Sequence, residues 1–271
     1  TNLHLEINSL KTQSLIVNRA GGKSGINFDL IIDNVKCSSV TTLKYLGVLF
    51  DNTMSFNHHF EFKCSLVKRH VAACLRIIRK SIDTEAKLTI YKVLLRCHLL
   101  YCSEAVYPSS QSGRQIVDRV QKTVLRYVTN DYSRETTYEQ LLSTCKISPV
   151  WVAVGANRLC LLHAYRLGAR FCLPQYRQSV VDSSTSTRRS SRLNNPYMFA
   201  RPSSTSNRKS FVKSPHYCSV IAYNLLPLNV LQMPLSIFKK HVHNTTFITN
   251  LLDKHTVQFV NNVFFTSNPN V

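Results

Sequence analysis

The apolar residues of this chain keep two different periods, and the change from one to the other falls near Phe60. Before it, "LHLEIN" alternates Leu3, Leu5 and Ile7 with polar neighbours, and "INFDLIIDNVKC" alternates Ile26, Phe28, Leu30 and Ile32 before a turn at Asp33-Asn34. A period of two is that of a half-buried strand. After it, Phe60, Cys64, Val67, Val71, Cys74, Leu75 and Ile78 recur at helical spacing, and the pattern stays helical through most of the remaining chain. Strands first and helices afterwards predict an α+β chain rather than a repeating βαβ one. The expected architecture is a small antiparallel hairpin or sheet, then a mainly helical bundle, then a helical C-terminal region.

Texture divides the chain into four segments. Residues 1–57 carry the strands and 58–174 the bundle. Residues 175–214, with "SSTSTRRSSRLNNP", read as a Ser/Arg-rich basic linker. Residues 215–271 return to apolar patterning, punctuated by Pro227 and Pro234. Within the bundle, Asp83 or Thr84 is positioned to cap a long helix running to Pro108, whose apolar residues cover most of its circumference and predict a central place. The next helix, "RQIVDRVQKTVLRYV", turns Ile116, Val120, Val124 and Tyr127 inward. Pro149 suits the first turn of another.

Charge bounds the partners. The 271 residues hold 34 Lys+Arg against 14 Asp+Glu, a formal charge of +20, and a field of that sign concentrates phosphates. Arg69, Arg76 and Lys80 lie opposite the apolar face of the first helix, and Arg119, Lys122 and Arg126 opposite that of the third. Each stripe alone reads as a solvated helix face; the two in succession read equally well as a phosphate-binding groove.

Catalytic chemistry finds few residues. There is no adjacent pair of aspartates, so two-metal phosphoryl transfer lacks its clustered carboxylates. No G-x-S-x-G or G-x-x-x-x-G-K-[ST] occurs, and "GGKSG" reads as a hairpin loop. Nine cysteines are scattered without a C-x-x-C, and Cys97, His98 and Cys102 fall in the helix expected to be buried; no metal site is expected, and the thiols read as reduced, intracellular core residues. "NHHF" reads as the start of a helix capped by Asn57. No apolar run approaches the roughly 20 residues that cross a bilayer, and "TNLHLEINSLKTQ" is unlike a signal peptide. The chain starts without methionine, as a fragment or a processed product would.

Taken in order, "INSLKT", "LKYLGVLFDNTMSFNHHF", "IYKVLLRCHLLYCSEAVYP", "RVQKTVLRYV", "AYNLLP" and "SIFKKHV" cover nearly the whole chain. The series resembles the carboxyl-terminal half of non-LTR retrotransposon (LINE-type, jockey- or CR1-like) reverse transcriptases. The resemblance implies that Asn8, Lys11 and Thr12 belong to a palm segment whose lysine assists pyrophosphate departure as a proton donor. It implies that Tyr45, Leu46 and Gly47 form a primer grip, with Gly47 admitting the primer backbone, and that the helices after it are a thumb. The expected partners are RNA, an RNA–DNA template–primer duplex and the N-terminal part of the same polymerase, in the nucleus or the cytoplasm, with no membrane.

Departures qualify the resemblance. The aromatic-x-D-D catalytic loop would lie upstream of Thr1, so magnesium is expected only with that missing palm, and this chain is not expected to polymerise by itself. Tyr223 stands where most relatives have tryptophan, Leu225 and Leu226 separate Asn224 from Pro227, and a paired arginine appears only as Arg158. Two other readings stay open: a free-standing basic RNA-binding protein, and the inert product of a decayed element.

Overall fold

The computed structural model describes residues 8, 11–17, 29–71, 73, 83–107, 111–170, 197, 199 and 215–244. The chain has an α+β fold in two compact units, one ending at Lys63 and one beginning at Cys64. Of the strand expected at Leu3–Asn8 all but Asn8, the cations Arg76 and Lys80, and almost all of 175–214 fall outside the described residues.

In the N-terminal unit, β1 (Gln13–Leu15) pairs in parallel with β4 (Ser38–Val40). Hairpin β2 (Ile31–Ile32) to β3 (Val35–Lys36) turns at Asp33 and Asn34, both at positive φ. Two left-handed residues in a two-residue loop make the turn whose twist matches that of the strands, and Asp and Asn tolerate it. A second antiparallel hairpin joins β5 (Thr42–Tyr45) to β6 (Val48–Asp51). The expected all-antiparallel arrangement is corrected at β1–β4, where the chain between the strands is long enough for a parallel crossover.

Helix α1 (Asn57–His70) buries Phe60, Cys64 and Val67, as the spacing predicts. The predicted Asn57 cap is not found: Asn57 is already helical, and its amide donates to the Ser55 hydroxyl at 3.4 Å.

The C-terminal unit is built around one helix. After α2 (Thr84–Ile90) come a π-helical turn (Tyr91–Leu95), α3 (Arg96–Leu100), α4 (Ser103–Val106), α5 (Gln111–Thr129), α6 (Tyr138–Thr144) and α7 (Val150–Arg166). Beyond residue 214 lie α8 (Pro215–Asn224), α9 (Leu228–Leu231) and α10 (Leu235–Val242). Helices α3, α4, α5, α8 and α10 all pack on α7. Most of α7 is buried accordingly, including its Gly155, Arg158 and His163. A helix apolar all round must lie inside.

Capping decides where several of these helices start and stop. Asp83 accepts from the Ala86 amide at 2.6 Å, and Thr137 and Gln140 form a reciprocal capping box on α6. Pro227 and Pro234 stand just before α9 and α10. Gly168, at φ +66°, ends α7 with the paired backbone bonds Ala169 to Ala164 and Gly168 to Tyr165.

The predicted single helix from 84 to 107 is instead broken twice, by the π turn and by Cys102 at φ 54°. Its breaks let Tyr91, Leu95 and Leu99 reach the core while Val93, Leu94 and Tyr101 face solvent. A π turn inserts an extra residue and so rotates the apolar face.

Candidate nucleic-acid interface

Lys11 sits in a tight turn organised by Asn8. The Asn8 side chain and carbonyl both accept from the Lys11 amide at 3.1 Å, and the Thr12 hydroxyl donates to the Asn8 carbonyl at 2.9 Å. Asparagine and threonine thus consume each other's local hydrogen-bonding capacity, and the lysine side chain is left exposed at the entrance to β1. It has no ion pair among the described residues.

Tyr45-Leu46-Gly47 is the tip of the second hairpin. Tyr45 pairs with Val48 in register, and Leu46 and Gly47 are the two loop residues, at φ 47° and 80°. The turn places Gly47 in the left-handed region, which glycine adopts without steric cost. Leu46 is less at ease, since a left-handed conformation costs a residue with a Cβ roughly 1–2 kcal/mol. Leu46 is 73% exposed and Tyr45 61% exposed. Lys44, on the same strand, is exposed as well.

The base of this hairpin is held by Asp51 and His59. The buried Asp51 carboxylate accepts from the amides of Thr53, Ser55 and Phe56 at 3.0, 3.0 and 2.8 Å, and from the hydroxyls of Thr53 and Ser55. Burial pushes its pKa upward, but these donors outweigh burial and hold the group at about 2. His59 is fully buried, and its Nδ1 accepts from the Leu49 amide at 3.2 Å, which places the proton on Nε2. Burial first, and then Lys63, lower its pKa to about 4.

In the C-terminal unit the cations differ in how free they are. Arg69 is exposed in the last turn of α1, without an ion pair among the described residues. Arg119 is exposed and, among the described residues, donates to the Gln115 carbonyl of its own helix. Lys122 is half-buried. Arg126 is committed to structure, its Nη2 donating to the Ser133 carbonyl at 3.1 Å.

The inward face of α5 is also turned from the expected one: Val117, Leu125 and Val128 join Val120 and Val124 in the core, while Ile116 and Tyr127 are half-buried. Cys97 is exposed and Cys102 half-buried, against the expectation of a buried pair. No group of three metal-ligating side chains occurs among the described residues.

Sequence reasoning missed the polar residues that hold the helical unit. Gln121 is fully buried, and Arg158, also buried, donates to the Glu104 carbonyl at 2.9 Å. His163 lies stacked on Phe238 with ring centroids 3.8 Å apart. Its Nε2 meets the Met233 carbonyl at 2.8 Å, so Nε2 must carry the proton; Nδ1 then accepts from the Tyr223 hydroxyl at 2.7 Å. That hydroxyl in turn accepts from Arg166 Nε at 3.0 Å.

Tyr223→Phe takes the partner from His163 Nδ1 and Arg166 Nε, while the bonds of His163 to Met233 and of Arg166 to Leu231 remain, and should lower the unfolding free energy by about 1–3 kcal/mol. Urea unfolding of the variant checks this, and a loss within experimental error would mean that the chain of bonds carries no net stability.

No protein-family model, curated protein or solved structure matches the chain.

Proposed function

We propose that this chain binds template–primer nucleic acid through its sugar–phosphate backbone, as part of a LINE-type reverse transcriptase whose catalytic aspartates lie outside it. One observation carries the reading. A strained, solvent-exposed Leu46 and an exposed Tyr45 occupy the tip of a hairpin whose base is fixed by Asp51 and His59. Two large exposed side chains at a hairpin tip, one of them in the left-handed region, suit a contact surface. Tyrosine and leucine there suit the flat faces and sugar edges of a primer end, with Lys11 and Lys44 to meet its phosphates. The excess charge of +20 supplies the long-range attraction.

A titration of the chain against an RNA–DNA primer–template and a same-length DNA duplex, each at several salt concentrations, tests the reading. The hybrid should bind more tightly and with a steep salt slope. Tyr45→Ala should weaken hybrid binding by about 5–150-fold, the range of one stacking contact. Arg69→Ala with Arg119→Ala should flatten the slope by about 2, since each phosphate contact contributes roughly 0.9. Equal, weak binding to both duplexes, indifferent to Tyr45, would sink the proposal.

A further inference from the structure

A cleft of about 540 Å³ opens in the C-terminal unit between α4, α7 and α10. Its floor is one face of α7, with Asn157, Leu161 and Tyr165 at successive helical turns. Arg170 reaches it from just beyond Gly168, and Lys239 and His243, four residues apart, from α10. One carboxylate, Glu104, completes the polar lining. None of Arg170, Lys239 and Glu104 has an ion pair among the described residues, although the cleft brings them together. Two cations and one acid therefore face the same space without cancelling one another.

We propose that this cleft binds a nucleoside monophosphate. The volume lies within the range of small-ligand sites and is far too small for a duplex. Arg170 and Lys239 supply the charge for a phosphate, and Asn157 adds a neutral donor. Glu104 can only accept hydrogen bonds when ionised, and the group it would accept from on such a ligand is a ribose hydroxyl. Tyr165 and Leu161 offer an apolar wall to a flat base.

Two other chemistries fit less well. The Cys160 thiol in the same wall is pushed up to about 11 by burial, which outweighs Lys239, so it lines the cleft as a neutral group and not as a nucleophile. His243 is held below its ordinary pKa by burial, Arg96 and Lys239, and serves as a neutral hydrogen-bonding group. A dry apolar ligand would leave both cations unpaired.

Calorimetric titration of the full chain with AMP, adenosine and inorganic phosphate tests the proposal. AMP should bind saturably, with adenosine and phosphate each at least about tenfold weaker, because each lacks half of the contacts. Arg170→Ala combined with Lys239→Ala should weaken AMP by about 10–100-fold. Both side chains are exposed, so an unchanged melting temperature is expected and keeps the loss assignable to the site. Glu104→Gln should narrow the preference for AMP over its 2′-deoxy form.

The proposal fails if AMP does not bind saturably, if phosphate alone binds as tightly, or if the double variant binds AMP unchanged.

Discussion

Gln121→Leu is expected to remove about 2–4 kcal/mol of stability, since it strips the partner from the buried Val150 amide and the half-buried Ser148 carbonyl and leaves the Tyr138 hydroxyl to its 3.5 Å bond with Asp118, at about 1–3 kcal/mol for each group left unsatisfied. The side chain is fully buried at the meeting of three elements. Its Nε2 donates to the Ser148 carbonyl at 3.1 Å; its Oε1 accepts from the Tyr138 hydroxyl at 2.8 Å and from the Val150 amide at 2.9 Å. Val150 is the first residue of α7, and Pro149 before it provides no side-chain cap. Gln121 thus caps the central helix from a different helix, in the place where serine or aspartate would stand locally.

Leucine has nearly the right volume and none of the bonds. Gln121→Glu should be as damaging, because a carboxylate cannot donate to Ser148 and its charge would be buried. Trp151, the single tryptophan, sits one residue past Val150, so its fluorescence reports urea unfolding of this helix directly. The exposed Gln115→Leu, on the same helix as Gln121, serves as control and should move stability by no more than about 0.5 kcal/mol. A Gln121→Leu loss below about 1 kcal/mol would show that water replaces the amide.

Acid should loosen the hairpin and the start of α1 in two separate steps. His59 has a folded pKa of about 4, below its ordinary 6.5. The unfolded chain therefore takes up the proton first, and the stability this residue contributes is complete above about pH 6.5 and lost as the pH falls to 4. Asp51 has a folded pKa of about 2 against 3.8, so its contribution is intact above about 4 and lost as the pH falls through 2. By linkage the two steps are worth about 3 and about 2 kcal/mol.

Hydrogen exchange at the Leu49 and Phe56 amides, which are bonded to these two side chains, resolves the steps. Leu49 should lose protection first. His59→Gln keeps an acceptor and removes the titration, so the upper step should vanish while the lower one stays. An upper step that survives in this variant would assign it to another group.

Much of the fold was legible because it depends on residues acting on their own neighbours. Asp33-Asn34 dictates its turn, Asp83 and Thr137 cap the helices directly after them, and Pro227 and Pro234 mark the starts of α9 and α10. The failures arise where a distant partner decides. Gln121 and His163 read as polar positions, and nothing local says that Ser148, Tyr223 and Met233 will meet them. The apolar run from Thr84 to Tyr107 carries enough leucine and valine for a central helix, but the π turn rotates Val93 and Leu94 outward.

The candidate site divides in the same way. Lys11 was legible as a lysine in a turn. Arg126 was not legible as a loop clamp, because Ser133 lies in the connection after the helix. Nor was the cleft over α7, since its basic residues come from segments about 70 positions apart.

The pairing of Asn224 with Phe199 bears on the chain's continuity. The Asn224 amide accepts from the Phe199 N–H at 2.9 Å and donates to its carbonyl at 2.8 Å, as a second strand would, while the Phe199 ring rests 4.9 Å from that of Tyr223. Tyr197 lies beneath the Arg166 guanidinium, 5.1 Å from it. Across the connection from Gly168 to Tyr197, α7 is joined to the later helices by the bonds of His163 and Arg166 to Tyr223, Met233 and Leu231 and by shared buried apolar side chains. Severed there, the two halves would still recognise each other, and the helical unit can be supplied as a complementing pair of fragments.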